Sequence, residues 1–186
     1  FEAVKRIVSL DRAAKQKIAV VVSGVAITEE DRVYLRSLRQ LVSKLDLDAV
    51  TLFMNNYLTS SEVDRVFGAS DVVVLPYTRR VGVSGVLTFA IAHGVPAILA
   101  CDPALLRRPT DLPALIVDVN ADEISSAIAR LMHDRVEYSK QMQSIKRYRS
   151  LHDNRQIAVS HVNIYRALSG ESDEAPDEDK GIDLSH

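Results

Sequence analysis

The sequence predicts an α/β protein with a doubly wound parallel sheet and helices on both faces. Short apolar runs that fit buried strands alternate with longer segments whose apolar residues recur at helical spacing. The stretch 71–100 shows this alternation most plainly. An apolar run that ends at Pro76 is followed by a glycine-bearing loop, an apolar segment and a second apolar run. Gly94 suits the residue that ends a helix and Pro96 prevents its continuation, so a strand, a helix and a strand are expected.

Ahead of this unit the sequence predicts three helices and two strands. Thr28 with Asp31, and Thr59 with Glu62, have the three-residue spacing of capping boxes, so helices are expected to begin after both threonines. In chain order the elements are a helix from 1 to about 15 with Val4, Ile7, Val8 and Leu10 on its apolar stripe, a strand at 18–22, the helix after Thr28, a strand at 50–54, and the helix after Thr59.

After the unit the sequence predicts a loop, a strand and a long helical region. In order these are a proline-rich loop at 102–113 with solvated Arg107 and Arg108, a strand at 115–119, a helix capped by Asn120, and a helical region at 137–168 with a break near 152–154. We expect an inward-facing row in the last part of this region, formed by Ala158, Val162 and Tyr165.

The composition indicates an ordinary soluble chain of one domain. Its 186 residues are 47% apolar, which is enough for a substantial core. The formal charge of −2 conceals a mildly basic body, because the last 16 residues hold seven acids and one lysine and the rest has a balance of +4. That balance tolerates a phosphate ligand and is too weak to indicate nucleic acid. We expect a domain at 1–169 and an acidic, disordered tail at 170–186.

Neither a secreted nor a membrane-spanning protein is indicated. The single cysteine, Cys101, cannot form an internal disulfide, and the N-terminal apolar residues do not form the continuous core of a signal peptide. Residues 81–101 lack charge over a length that could span a bilayer, but three glycines and a proline interrupt them where the strand–helix–strand unit needs them. We therefore expect no transmembrane segment and a cytoplasmic protein whose chain begins inside a helix.

The loop that follows Pro76 carries the clearest chemical signal. Backbone N–H groups at a helix start are free to bind an anion and the helix dipole favours negative charge, so a phosphate fits such a loop. A tight turn without a ligand accounts for the same glycines, and both interpretations stay open. A nucleophilic serine is disfavoured, since the motif lacks the first glycine of a nucleophile elbow. The loop residues are Gly82, Val83, Ser84, Gly85 and Val86.

Other candidate sites are few. The five histidines lack metal-ligand spacing, so we expect no protein-bound metal. His93 stands at the end of a predicted helix, where a cation is favoured, and we expect a structural role for it. Ser23 and Gly24 end the strand at 18–22 and form a second candidate ligand loop, because parallel sheets bind ligands at the carboxyl ends of their strands.

The order of these motifs resembles the C-terminal half of a GT-B glycosyltransferase of family 4, or group 1. The resemblance lies in the order and spacing of all the pieces and covers roughly residues 1–133. The pieces are the strand ending in Ser23-Gly24, then VTLFMNNYLTSSEV, VFGASDVVVLPY, SGVL, AIAHGVPAI and LIVDVNADEISSAIARLMHD.

The resemblance implies a Rossmann-like domain that binds a nucleotide-diphosphate sugar as its donor substrate, with no further cofactor. The acceptor would be held by an N-terminal GT-B domain outside this chain, and any contact with a membrane surface would be made through that half. The full-length protein would be a retaining, hexosyltransferase-like enzyme, and this chain alone would be inactive.

The resemblance also implies roles for particular residues. Tyr77 would line the cleft or belong to the core, and Arg79 and Arg80 would contact phosphate or sugar or form an exposed charged turn. Tyr57 would stack on the base or simply pack. The residues expected to border the nucleobase are Asn56, Tyr57 and Leu58.

The sequence departs from the family in two respects, and the first of them favours an alternative function. Val81 and Phe89 stand where the family has two glutamates that contact the donor sugar and ribose hydroxyls, and neither side chain can accept a hydrogen bond. A subset of the family has a Pro-Tyr and Ser-Gly-Val-Leu version of this loop, which this sequence resembles. The family's first strand, with a basic pair for the diphosphate, would precede Phe1 and be missing.

The alternative is therefore a non-catalytic scaffold or partner-docking module that has lost donor binding. An unrelated α/β nucleotide-binding domain is disfavoured, since no glycine-rich fingerprint follows the first visible strand. The sequence does not assign catalytic residues, the donor base, the sugar or the acceptor.

Overall fold

The computed structural model describes residues 1–10, 15–77, 84–102, 112–152 and 154–169. The chain divides into two compact units, Phe1–Arg149 and Ser150–His186. The loop arginines Arg107 and Arg108 and the expected acidic tail lie outside the described residues. The domain boundary at residue 169 therefore stays a prediction.

The first unit alternates helices and strands as the sequence predicts. Its elements in chain order are α1 (Glu2–Leu10), β1 (Val20–Ser23), α2 (Glu29–Lys44), β2 (Thr51–Met54), α3 (Ser60–Gly68), β3 (Val73–Pro76), α4 (Gly85–His93), β4 (Ala97–Ala100), β5 (Ala114–Val117), α5 (Ala121–His133) and α6 (Arg135–Leu151), whose last turn crosses into the second unit. Within the described residues, no helix is long and apolar enough to cross a membrane.

The larger sheet contains β3, β4 and β5, which pair in parallel with β4 in the centre. Successive side chains of a strand point to opposite faces, and here each face has its own core cluster. Leu75 and Leu99 pack with α4 and with Ile145 of α6 on one face. Val74 and Ile98 pack with α5 on the other. The doubly covered parallel sheet expected from the sequence is confirmed.

The helix ends follow the predicted capping chemistry. Thr28 and Thr59 each accept a hydrogen bond from the backbone N–H three residues on, and the acidic side chain at that position accepts one from the threonine N–H. These bonds hold the pKa of Asp31 and of Glu62 below the usual carboxyl value, chiefly through the backbone N–H of the threonine. Gly94 ends α4 with φ 71°, in the left-handed conformation that glycine adopts without steric cost.

The smaller sheet pairs β1 with β2, and it is not hydrogen-bonded to the larger one. The order is β2-β1 in one part and β3-β4-β5 in the other. A doubly wound sheet of order 3-2-1-4-5-6 without its strand 1 has this arrangement. The break lies where the resemblance implies a missing first strand.

Helix packing joins the two parts of the sheet within the first unit. Helix α1 packs against α5, and an exposed ion pair between Arg6 and Asp122 adds to the contact. Val8 of α1 is buried beside Val42 of α2, in a cluster that also includes Phe53 of β2. Leu10 was expected on the buried stripe of α1, but it is 90% exposed because it lies in the last turn of the helix.

The second unit begins in the last turn of α6, and its described residues then form α7 (Asn154–Ser169). One helix thus ends at Leu151 and another begins at Asn154, near the position where the sequence predicts a break. The inward row predicted for this helix is wrong. Val162 is 44% and Tyr165 67% exposed, and Ala158 is exposed as well. The helix that the spacing of the row predicts is confirmed, and the burial of the row is not.

The free strand edges give a prediction for amide exchange. Gly24 N–H bonds to Met54 O and Tyr77 N–H to Ala100 O, so alternate amides of β1 and β3 face their partner strands. The amides of Val21, Ser23 and Val74 therefore face the free edges. By hydrogen exchange followed by NMR, these three should exchange at least about tenfold faster than those of Val22 and Leu75. Equal protection in both sets would show that the edges are covered.

Candidate functional site

The candidate site begins where β3 ends and α4 starts. Ser84 is the N-cap of α4, with φ −79° and ψ 116°, and its Oγ accepts a hydrogen bond from Leu87 N–H at 3.2 Å. The Tyr77 hydroxyl lies 2.6 Å from the same Oγ. Tyr77 follows β3, donates its N–H to Ala100 O and packs against the core cluster of α4. A core-anchored ring thus fixes the residue that begins the helix.

This pair of hydroxyls leaves one proton unused. Each hydroxyl has a single O–H donor, and the Tyr77–Ser84 bond uses one of the two. The Leu87 N–H occupies a lone pair of Ser84 and supplies no acceptor. Among the described residues, nothing accepts the remaining proton. The pair therefore offers one O–H donor at the start of α4, whichever hydroxyl donates to the other.

The next two residues add backbone donors. Gly85 is the first residue of α4, and a Cβ built on it would meet no heavy atom within 4 Å. Val86 is 46% exposed. The N–H groups of a first helical turn have no partner within the helix, and those of Gly85 and Val86 have no acceptor in the described part of the chain. Together with the hydroxyl proton they form a donor-rich, exposed helix start.

Four predicted site residues of the preceding loop lie outside the described residues. They are Arg79, Arg80, Gly82 and Val83, and the departure from the family at Val81 lies there too.

The second candidate region is formed by the ends of β1 and β2. Gly24 N–H bonds to Met54 O at 3.2 Å, and Ala26 N–H bonds to Asn55 Oδ1 at 2.8 Å. These bonds bring Ser23 and Gly24 beside the polar loop at 55–58, so two regions that were predicted separately belong together. Asn55 is not among the predicted site residues, although its amide side chain directly follows the strand predicted at 50–54.

In the polar loop, the exposure of Tyr57 bears on whether its ring packs in the core or is available for stacking. Tyr57 is 76% exposed, so its ring is not packed in a core and is free to stack on a ligand. Asn56 Nδ2 donates to Tyr57 O at 3.1 Å, and Leu58 is half-buried. The Tyr77 ring packs on the core cluster and its hydroxyl lies beside Ser84 Oγ, and its role as a cleft residue stays a prediction.

Phe89 lies on α4 in an aromatic cluster. Its ring is 5.9 Å from that of Phe67 on α3, and Phe67 stacks on the His93 ring at 5.2 Å. Phe89 is 49% exposed, so an apolar surface stands where the family has a carboxylate. His93 bonds to Asp64 of α3, which fits the structural role expected for it.

Other parts of the described chain offer less chemistry. No group of three or more His, Cys, Asp or Glu side chains among those residues is placed to hold a metal ion. Burial raises the pKa of the Cys101 thiol, which disfavours the reactive thiolate.

A groove that includes Asp71 and Arg135 lies at the amino end of β3, the opposite end from Ser84. Parallel sheets bind ligands at the carboxyl end, so the junction at Ser84 remains the better candidate.

Comparison with solved structures confirms the fold. The chain has the fold of the Rossmann-like, C-terminal half of a GT-B glycosyltransferase. It is similar to HepE from Anabaena in complex with UDP, with 17% identity and a TM-score of 0.66 over 86% of this chain and 43% of that chain. It is also similar to a glycosyltransferase from Rickettsia africae, with 12% identity and a TM-score of 0.68 over 92% of this chain and 44% of that one.

A third similar structure is itself a separate domain. It is the C-terminal domain of LpcC, a group 1 family glycosyl transferase from Francisella tularensis, with 20% identity and a TM-score of 0.65 over 81% of this chain and 75% of that one. The chain spans less than half of the HepE and Rickettsia proteins. No protein-family model and no curated protein matches the sequence.

The cap at Ser84 gives a prediction for stability. Replacing Ser84 with Ala removes the acceptor for Leu87 N–H and the partner of the Tyr77 hydroxyl, so the free energy of unfolding should fall by about 1 kcal/mol, within a range of roughly 0.5–2. Urea denaturation of the two proteins measures the difference. Ser125→Ala is the matched control, because Ser125 Oγ bonds only to Asp122 O within α5. Equal losses in the two variants would rule out a special role for the cap.

Proposed function

We propose that this chain is the donor-binding half of a GT-B glycosyltransferase. The observation that carries the proposal is the donor-rich start of α4 at the carboxyl end of β3. There the Tyr77–Ser84 pair presents an O–H group, and Gly85 and Val86 each present an N–H group. Negative charge is favoured at a helix N-terminus by these donors and by the helix dipole. The diphosphate of a nucleotide sugar supplies that charge.

The comparisons support the same ligand class. HepE has been solved with UDP and with UDP-glucose, and it shares the fold of this chain. The polar loop at 55–58, with its exposed Tyr57, would then border the nucleobase. Ser23 and Gly24, joined to this loop by hydrogen bonds, would line the cleft beside it.

The residues of this chain would act by orientation and by electrostatic stabilisation. Fixed N–H and O–H donors hold the diphosphate and stabilise the charge that develops as the bond to the sugar breaks. Such donors are effective because they are already oriented, and the Tyr77 ring keeps Ser84 in place. The acceptor would be held by the N-terminal half of a longer protein, and the basic pair for the diphosphate would come from the strand that precedes Phe1 in the family. We propose a retaining reaction for that whole enzyme.

The aromatic cluster favours a second candidate function. Phe89 packs on Phe67 and cannot accept a hydrogen bond from a sugar or ribose hydroxyl. A module that kept the fold and lost donor binding would tolerate phenylalanine in place of the family's glutamate. Such a module would act as a scaffold or as a docking surface. Binding of a nucleoside diphosphate distinguishes the two functions.

Replacement of Gly85 tests the proposed ligand site. In an NMR titration of this chain with UDP, we expect the largest shifts at the amides of Ser84, Gly85 and Val86. Gly85→Asp adds a negative charge beside the diphosphate and should weaken binding at least about tenfold, or roughly 1.4 kcal/mol. Gly85→Ala should bind nearly as well as the parent, because its Cβ meets no neighbour.

The two variants also separate folding from binding. An acid in the first turn of a helix is tolerated, so Gly85→Asp should stay folded. Unchanged affinity in the folded Asp variant would favour the scaffold over the donor-binding domain.

A further expectation concerns turnover. The chain spans 43% of HepE, and an acceptor site is expected in the other half. We therefore expect no release of UDP from UDP-glucose by the isolated chain, with water or added sugars as acceptors, in a coupled assay. Turnover above the background rate would show that the chain contains a complete active site.

A further inference from the structure

His93 has hydrogen-bond acceptors at both ring nitrogens. Its Nδ1 lies 2.8 Å from the backbone oxygen of Phe89, one turn earlier in α4, and its Nε2 lies 2.9 Å from Asp64 Oδ1 in α3. A neutral imidazole has a single N–H and can donate to only one of them. The imidazolium has two N–H groups and satisfies both. The observed geometry therefore fits the protonated ring.

The surroundings of the ring also favour a positive charge. Phe67 of α3 stacks on it with ring centroids 5.2 Å apart and planes inclined by 21°, which places a π face beside the cation. The ring is in the last turn of α4, where the helix dipole favours a cation. The charged groups that act on it are the Asp64 carboxylate, which attracts the proton, and the Arg149 guanidinium of α6, which opposes it.

We propose that His93 is a pH-sensitive tie between α3 and α4, a side-chain link whose strength depends on protonation. The protonated ring makes both hydrogen bonds, and the neutral ring makes only one of them. The tie joins the last turn of α4 to the middle of α3, and α4 carries the donor-rich start at its other end. The His93 side chain is 21% exposed, so its proton can exchange with solvent without unfolding.

The direction of the pH effect follows from the same contacts. The hydrogen bond to Asp64, then that to the Phe89 carbonyl, raises the pKa of His93 above its usual value, while burial and Arg149 oppose the change. A histidine whose folded pKa is raised contributes stability that is fully present below its unfolded pKa of about 6.5 and is lost as the pH rises through the folded pKa. The tie should therefore weaken above about pH 6.5.

The experiment is an NMR titration of the histidine ring signals combined with thermal unfolding of the 186-residue chain. We expect the pKa of His93 to fall when Asp64, whose side chain is 72% exposed, is replaced with Asn. The melting temperature of the parent chain should decrease more between pH 5.5 and pH 8.5 than that of His93→Gln, because only the parent loses a protonated His93 over this range.

A control variant and the Asp64→Asn variant keep the test specific. His133→Gln is the matched control, because His133 is also in the last turn of its helix and is exposed, and it should keep the pH dependence of the parent. Asp64→Asn should reproduce the loss seen with His93→Gln. A His93 pKa that does not respond to Asp64→Asn, or the same pH dependence in the parent and in His93→Gln, would overturn the proposal.

Discussion

Burial of β4 on both faces is the constraint on which the larger sheet depends. All four of its residues are fully buried, with Ile98 facing α5 and Leu99 facing α4 and α6. Helices on both faces are the usual way in which a parallel sheet is covered. The hydrogen bond from Tyr77 N–H to Ala100 O extends the pairing one residue beyond β3, and it thereby places the Tyr77 ring beside the start of α4. The candidate site is thus positioned by the most buried strand of the described chain.

The second constraint is the break between the two parts of the sheet. Strand-to-strand hydrogen bonds do not cross it, and helices contribute to holding the parts together, with α3 packed against α4 and α1 against α5. The Arg6–Asp122 ion pair in this contact is exposed, and such pairs contribute little. The two candidate regions lie in different parts, with Ser23 and the 55–58 loop in one and Ser84 in the other. Their relative position therefore depends on helix packing more than on the sheet.

Local patterns predicted most of the fold, and tertiary contacts explain what they missed. Helix caps depend only on residues three apart, and those predicted from the sequence form as expected. They are the capping boxes at Thr28 and Thr59 and the N-cap at Asn120. The Tyr77–Ser84 bond joins residues on opposite sides of a loop, so no spacing rule reveals it. The row on α7 was wrong because helical spacing shows which residues share a face and leaves open what covers it.

The candidate site matches one part of the expected ligand, the diphosphate, better than the other part, the sugar and ribose hydroxyls. At the start of α4, the described groups are donors, which match the oxygens of a diphosphate. Sugar and ribose hydroxyls also need acceptors, and Phe89 offers none. Asn55 Oδ1 is already bonded to Ala26 N–H, whereas Asn56 uses its Nδ2 group for Tyr57 O and keeps its amide oxygen available among the described contacts. Since charge-assisted bonds are stronger than neutral ones, a nucleotide-sugar donor of the proposed kind would gain its affinity at this site mainly through the diphosphate.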